Sequence, residues 1–255
     1  DSMRDRGHVT GFMLDAIAAC DIALWDLKGK ASRLSVSELL GGRYRDRQPA
    51  YVSGLPKPTL EERLDLAEDW KGKGFHAIKA ALGYGVDEDV ENIRRLRERL
   101  GPDVALFLDA HWNYDLARAT ALARGMEPLN LGFLEAPLLP ENVVGHGALR
   151  AKTSIPIALG ETERSRFQFA PFLAAGGVDI VQPDVGRIGI TETMRIGFQA
   201  ETHHVRIAPH LSVGLGPCIA ASIHVAAALP NTFMLEYQPP VFDIANTLLD
   251  VPLVC

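Results

Sequence analysis

Apolar positions along this chain alternate between two rhythms. Eight short apolar or β-branched runs recur: AYVSG (50–54), HAIKA (76–80), VALFLD (104–109), LGFLEAP (131–137), IPIALGE (155–161), VDIVQPD (178–184), VRIAPH (205–210) and TFMLEY (232–237). Runs of this length and composition predict strands. The segments between them read as helices. TLEERLDLAEDWKGKG and DEDVENIRRLRERLG carry apolar residues at helical spacing, and both stop at glycine. The runs start roughly 22–28 residues apart, the length of one strand plus one helix. Eight such units over about 205 residues predict an α/β fold, a (β/α)8 TIM-like barrel. An open doubly wound sheet competes, but no Gly-rich phosphate loop follows the first strand, which favours the barrel.

Ahead of this repeat, FMLDAIAACDIALWDLKGK (12–30) predicts an amphipathic helix with Phe12, Ile17, Leu24 and Trp25 on its buried side. SVSELLGG (35–42) predicts a short helix stopped by glycines. The one plausible boundary lies near residue 48, giving a helical segment (1–48) and a barrel (49–255). Bulk properties narrow the class. A net charge of −6 weighs against a nucleic-acid partner, because phosphate binding wants a basic face. No apolar run reaches the ~18 residues of a membrane span, and the first residues carry no signal-peptide pattern. Cys20, Cys218 and Cys255 lack metal-type spacing, so no disulfide framework is expected and a reducing, cytoplasmic setting is.

Three consecutive strand candidates end in an acid: Asp109, Glu135 and Glu161, at equal intervals of 26 residues. In a barrel, catalytic groups come from the C-terminal ends of strands. Neighbouring strands lie ~4.8 Å apart, so three carboxylates would converge at the mouth. They would repel one another unless a cation sat between them, and oxygen-only ligands suit Mg2+. Each acid taken alone also reads as a loop residue or helix cap; the regular placement favours the site. Asp184 and His210 end the next two runs. On adjacent strands Asp184 would accept a hydrogen bond from one ring nitrogen of His210 and leave the other free as a general base. Glu236 ends the eighth run and reads either as a substrate contact or as a buried pairing acid.

Together these stretches resemble the mandelate racemase/muconate lactonizing enzyme branch of the enolase superfamily. AIAACDIALWDLKGKASRLSVSELLGG, GFHAIKAALGYG, LFLDAHW, FLEAPL, ALGE, VQPDVGRIG and APHLSVGLG follow in that family's order. The resemblance implies one Mg2+ on Asp109, Glu135 and Glu161, chelating a substrate carboxylate and stabilising an enediolate. It assigns Asp184 and His210 to the base and its partner, and Glu236 to the strand-eight acid. It also implies an α+β capping domain before the barrel, whose helical end residues 1–48 resemble.

The second strand departs from the family pattern. Many members carry Lys-x-Lys there; here the stretch is Lys79-Ala80-Ala81, so the second amine is absent. Lys79 itself reads as a contact to the substrate carboxylate or as a snorkelling surface lysine. Racemisation needs a proton donor or acceptor on each face of the carbanion, whereas β-elimination of water needs one base and one acid. His111, two residues after Asp109, is placed to be that acid; otherwise it is a loop histidine capping the next helix. Asp-x-His at this strand resembles the acid-sugar dehydratases, such as those acting on galactonate or mannonate. The expectation is therefore a Mg2+-dependent hydro-lyase that takes a small-molecule carboxylate, an acid sugar, and assembles as a homo-oligomer with no nucleic-acid or membrane partner. The rivals are a racemase or epimerase of a 2-hydroxy acid and a non-catalytic barrel fragment. Sequence leaves the directions of Arg187, Glu163, Arg164, Trp112 and Tyr114 open.

Overall fold

The computed structural model describes residues 6–211 and 214–253. Ser212 and Val213 of the APHLSVGLG stretch, and Cys255, lie outside the described residues. Two helices come first: α1 (Phe12–Ser32) and α2 (Val36–Leu39). Strands and helices then alternate: β1 (Ala50–Ser53), α3 (Leu60–Gly72), β2 (Ala77–Ala81), α4 (Val86–Leu100), β3 (Ala105–Asp109), α5 (Leu116–Met126), β4 (Leu131–Glu135), α6 (Val143–Arg150), β5 (Ile157–Leu159) and α7 (Arg166–Ala174). The remainder is β6 (Ile180–Val181), α8 (Val185–Ile188), α9 (Ile190–Thr202), β7 (Arg206–Ile207), α10 (Gly216–Ala228), β8 (Leu235–Tyr237) and α11 (Pro239–Asn246). All eight apolar runs contain a strand. The strands make one α/β sheet in the order β7-β6-β5-β4-β3-β2-β1-β8. Helix starts follow local chemistry: Ser35 with Glu38 and Thr59 with Glu62 form capping boxes at α2 and α3.

The chain divides into two compact units. One comprises Ala50–Leu159 and Pro171–Ile180; the other comprises Asp1–Pro49, Gly160–Ala170 and Val181–Cys255.

In the first of these, β1 to β5 lie side by side, all parallel, with Lys79 paired to Phe107 and Asp109 to Glu135. Side chains two apart share a face. Lys79, Phe107 and Phe133 therefore form one layer, and Ala81, Asp109 and Glu135 the next layer toward the strand ends. The lower layer is aromatic. Phe107 stacks on Phe133 at 4.1 Å, and Tyr51 meets Phe107 edge-on at 5.3 Å. A Cβ at position 132 would stand 2.4 Å from the Phe107 ring, so Gly132 admits the stack.

His146 on α6 is buried in this unit, edge-to-face with Phe172 at 5.4 Å, with Nδ1 2.9 Å from the Asn142 carbonyl oxygen. Burial holds its pKa below the ordinary imidazole value. The unfolded chain takes that proton near pH ~6.5 and the folded chain resists it, so His146 costs stability as pH falls below that value. His146→Phe is expected to flatten the acid side of the stability curve. The wild type should lose up to ~1.4 kcal/mol per pH unit more than the variant, measured by urea unfolding at pH 5 and pH 8.

In the other unit, α1 packs on α8 and α9. The buried side of α1 is not the one expected. Phe12 is 90% exposed and Leu24 64%, and Ile17 is also exposed, whereas Ala18, Ile22 and Gly29 are buried. Gly29 is needed locally: a Cβ there would sit 2.9 Å from the Leu34 carbonyl oxygen in the turn that ends the helix. Trp25 is half-buried and donates from Nε1 to Thr191 Oγ1 at 2.9 Å. Asp21 accepts from Thr191 N (2.9 Å) and Oγ1 (2.6 Å) and so fixes the first turn of α9. Among the described residues no helix is long and apolar enough to cross a membrane.

Candidate active site

The strand ends of the β1–β5 unit carry a buried charged group. Lys79 is buried, with Nζ 2.7 Å from Glu135 Oε2 and 4.0 Å from Asp109 Oδ2. This overturns its reading as a snorkelling surface lysine. Asp109 and Glu135 are register partners, both buried, and the Lys79 ammonium offsets the repulsion between them. Nζ also lies 5.6 Å from the Tyr51 ring centre, so the aromatic layer supports the cation from below.

His111 curls back onto the Asp109 carboxylate. Its backbone N–H donates to Oδ1 at 3.0 Å, and its Nε2 lies 3.3 Å from Oδ2. It does not cap the next helix, because Asp115 does: Asp115 Oδ1 accepts from Arg118 N at 2.8 Å. His111 and Trp112 both have positive φ, 46° and 59°, a region costly for residues other than glycine. Fixed bonds hold the loop there. Trp112 N donates to the Ala136 carbonyl (2.7 Å) and Tyr114 N to the Pro137 carbonyl (3.3 Å).

Tyr114, whose direction the sequence left open, bonds to a neighbouring loop. Its hydroxyl donates to fully buried Asp89 and accepts from Gly85 N at 3.2 Å. Asp89 also accepts from Gly83 N (2.9 Å) and Tyr84 N (3.0 Å). One carboxylate thus ties the turn after β2 to the loop that carries His111. Burial, reinforced by Asp89, pushes the Tyr114 phenol well above its ordinary value. Sequence reasoning missed Asp89. The available signal was its position: with Ile93, Leu96 and Leu100 it lies on the buried stripe of α4.

The other unit holds the remaining candidates. Asp184 and His210 pair in parallel register, with Asp184 Oδ2 3.0 Å from His210 Nδ1. The second ring nitrogen was expected to be free. It lies 2.8 Å from Glu161 Oε2 and 3.9 Å from Glu236 Oε2. An imidazole and a carboxylate this close stabilise each other's charged forms. Burial favours neutral His210, but Glu236, Asp184 and Glu161 outweigh it and hold its pKa well above the ordinary value. Glu236 is completely buried, and its Oε2 accepts from Leu211 N at 2.8 Å, fixing the backbone just past His210.

Glu161 follows Gly160, whose φ of 146° and 2.7 Å Cβ approach to Gln182 N require glycine. Arg164 does not point toward His210 through any hydrogen bond. Its Nη1 donates to the Glu161 and Thr162 carbonyls (2.9 Å each) and its Nε to Asp15 Oδ1 (3.0 Å), locking this loop to α1. Glu163 is buried, accepts from Thr162 Oγ1 at 3.0 Å, and has its pKa raised by burial. Arg187 is exposed.

Carboxylate oxygens of the kind a hard divalent cation takes stand in each unit, on Asp109 and Glu135 in one and on Glu161 in the other. That donor chemistry fits Mg2+. Among the described residues no three His, Cys, Asp or Glu side chains form a metal-holding cluster. The carboxylates face protein cations instead, Lys79 in one unit and His210 in the other.

Comparison with known proteins places this geometry. Residues 62–255 match the enolase C-terminal domain-like family, and residues 3–41 match the mandelate racemase/muconate lactonizing enzyme N-terminal domain. The chain is 37% identical over 254 residues to D-galactarolactone cycloisomerase from Agrobacterium fabrum, covering 97% of this chain and 66% of that protein. It is 37% identical over 237 residues to D-galactonate dehydratase from Xanthomonas oryzae pv. oryzae, covering 88% and 61%. Among solved structures it is similar to a member of the enolase superfamily from Agrobacterium tumefaciens (TM-score 0.96, 40% identity, 100% of this chain and 66% of that one). It is also similar to a racemase from Streptomyces coelicolor A3(2) with bound magnesium (TM-score 0.84, 29% identity, 91% and 64%). The chain thus spans a little under two thirds of the length of these relatives.

Proposed function

The chain belongs to the mandelate racemase/muconate lactonizing enzyme family of the enolase superfamily, and from that premise we propose that it serves Mg2+-dependent dehydration of an acid sugar, an aldonate of the galactonate type. The observation that carries this reading is the buried Asp184–His210 pair. A (β/α)8 barrel beginning near residue 49 is part of the same reading, supported by eight strands in one sheet and parallel Asp184–His210 and Ile207–Thr232 bridges.

Residues take these roles. Asp184 fixes the imidazole orientation, and His210 Nε2 accepts the α-proton. Asp184, Glu161 and Glu236 all favour the protonated ring; were Glu161 to serve as a metal ligand, that support would weaken and His210 would be freer to act as a base. Asp109, Glu135 and Glu161 would hold Mg2+, which supplies charge neutralisation at the substrate carboxylate. Lys79 orients that carboxylate from below. His111, half exposed beside Asp109, protonates the departing 3-hydroxyl, or His210 returns its proton there. The α C–H and the C3–O bonds break, water leaves, and the enol tautomerises to a 2-keto-3-deoxy acid.

Incubation with galactonate and Mg2+ tests this: a 2-keto acid, trapped with semicarbazide, is expected from galactonate and not from an EDTA control. Stereoisomers formed without loss of water would support a racemase instead. A second reading is favoured by the 37% identity to D-galactarolactone cycloisomerase over 97% of this chain. In a cyclic substrate the same α-proton removal expels a tethered oxygen, so the product is an isomer of unchanged mass. Mass spectrometry of products from galactonate and from galactarolactone separates the two.

A further inference from the structure

A cleft of about 180 Å3 lies within the unit that contains α1, bounded by α1, the loop into α7, and α8–α9. Leu14, Ile17 and Ile188 give it apolar lining. Its polar groups are unevenly committed. Both acids that line it are satisfied. Asp21 is taken by Thr191, and Glu192 accepts from Arg166 N (3.0 Å), Arg166 Nη1 (2.5 Å) and Arg195 Nη1 (3.2 Å). Two of the lining arginines keep donors to spare. Arg187 lines the cleft, and its guanidinium has no hydrogen bond or ion pair among the described residues. Arg164 is 9% exposed, and its Nε and Nη1 are bonded, but its Nη2 carries no hydrogen bond among them.

Unpaired guanidinium donors beside apolar lining, with Glu192 already ion-paired and Asp21 already hydrogen-bonded, make a site for an anion that carries an apolar body. A guanidinium fork matches a carboxylate with two parallel hydrogen bonds. We propose that this cleft binds a small organic carboxylate, its head group on Arg187 and Arg164 Nη2 and its aliphatic part on Leu14, Ile17 and Ile188. Neither the acid–base pair nor the Lys79 group takes part, so the site is independent of the proposed dehydration.

Hexanoate is the probe, followed by methyl NMR of the isoleucines. Saturable shifts at Ile17 and Ile188 are expected, with a dissociation constant on the order of 1 mM. Arg187→Ala should weaken binding about tenfold. Ile17→Glu places a carboxylate on an exposed part of the wall and should abolish binding while circular dichroism stays unchanged. The neutral isostere hexanamide should not bind. Equal binding of hexanamide, unchanged affinity in Arg187→Ala, or no saturable shift with hexanoate would each overturn the proposal. Inorganic phosphate separates the remaining case: if it binds as tightly as hexanoate and displaces it, the cleft selects bare anions and the organic class is wrong.

Discussion

Replacing His210 with asparagine is expected to slow exchange of the α-proton of a bound acid sugar with D2O by roughly 10^3-fold. Asparagine keeps a polar group of similar reach beside Asp184 but has no titratable nitrogen. The loss therefore falls on proton transfer rather than on packing. The comparison variant is Asp184→Asn, which leaves His210 in place and removes the charge 3.0 Å from Nδ1. It should cost less, and it should lower the pH at which exchange turns on, because Asp184 is one of the groups that raise the His210 pKa. Following the substrate proton by NMR reads the chemistry even if elimination is blocked. Exchange retained at the wild-type rate in the His210 variant would remove the base assigned here. A melting temperature for each variant separates lost chemistry from lost fold, since Glu161 and Glu236 would both lose a cationic neighbour.

Much of this site was legible as position and little of it as contact. Short apolar runs locate strand ends, and within a strand side-chain direction follows from count alone. That is why Asp109 and Glu135 could be set side by side from spacing, and the register pairs them. Asp184 and His210 followed by the same logic. What spacing does not encode is which cation a carboxylate faces. The Lys79–Glu135 and His210–Glu161 contacts join residues 56 and 49 positions apart, and burial that no propensity reports makes them matter. The misread face of α1 has a different cause. Hydrophobicity points to Phe12 and Leu24, but Asp21 and Trp25 bond Thr191 at the start of α9, and the side of the helix that is buried carries Ala18 and Ile22. Asp89 was hidden for the opposite reason. A single acid on an apolar stripe looks like noise until three loop donors are seen to converge on it.

Lys79→Met is expected to be the most destabilising change at the strand ends, and the one that tests the proposed metal requirement. Methionine fills similar space over the Tyr51 ring but leaves Glu135 and Asp109 buried side by side without the ammonium 2.7 Å from Glu135. Removing one partner of a buried ion pair typically costs about 3–5 kcal/mol. In EDTA the variant should therefore unfold at markedly lower urea concentration than the wild type. Mg2+ should then return much of that loss, because an ion that binds only the folded chain adds about 2.7 kcal/mol at a hundred times its dissociation constant. In the wild type the same ion meets carboxylates already neutralised by Lys79, so its stabilising effect should be smaller. The difference between the two Mg2+ responses is the measurement. A variant as stable as the wild type in EDTA would show that Lys79 does not compensate these acids. A variant whose stability ignores Mg2+ would show that Asp109 and Glu135 are not metal ligands, and the proposed dehydration would lose its electrophile.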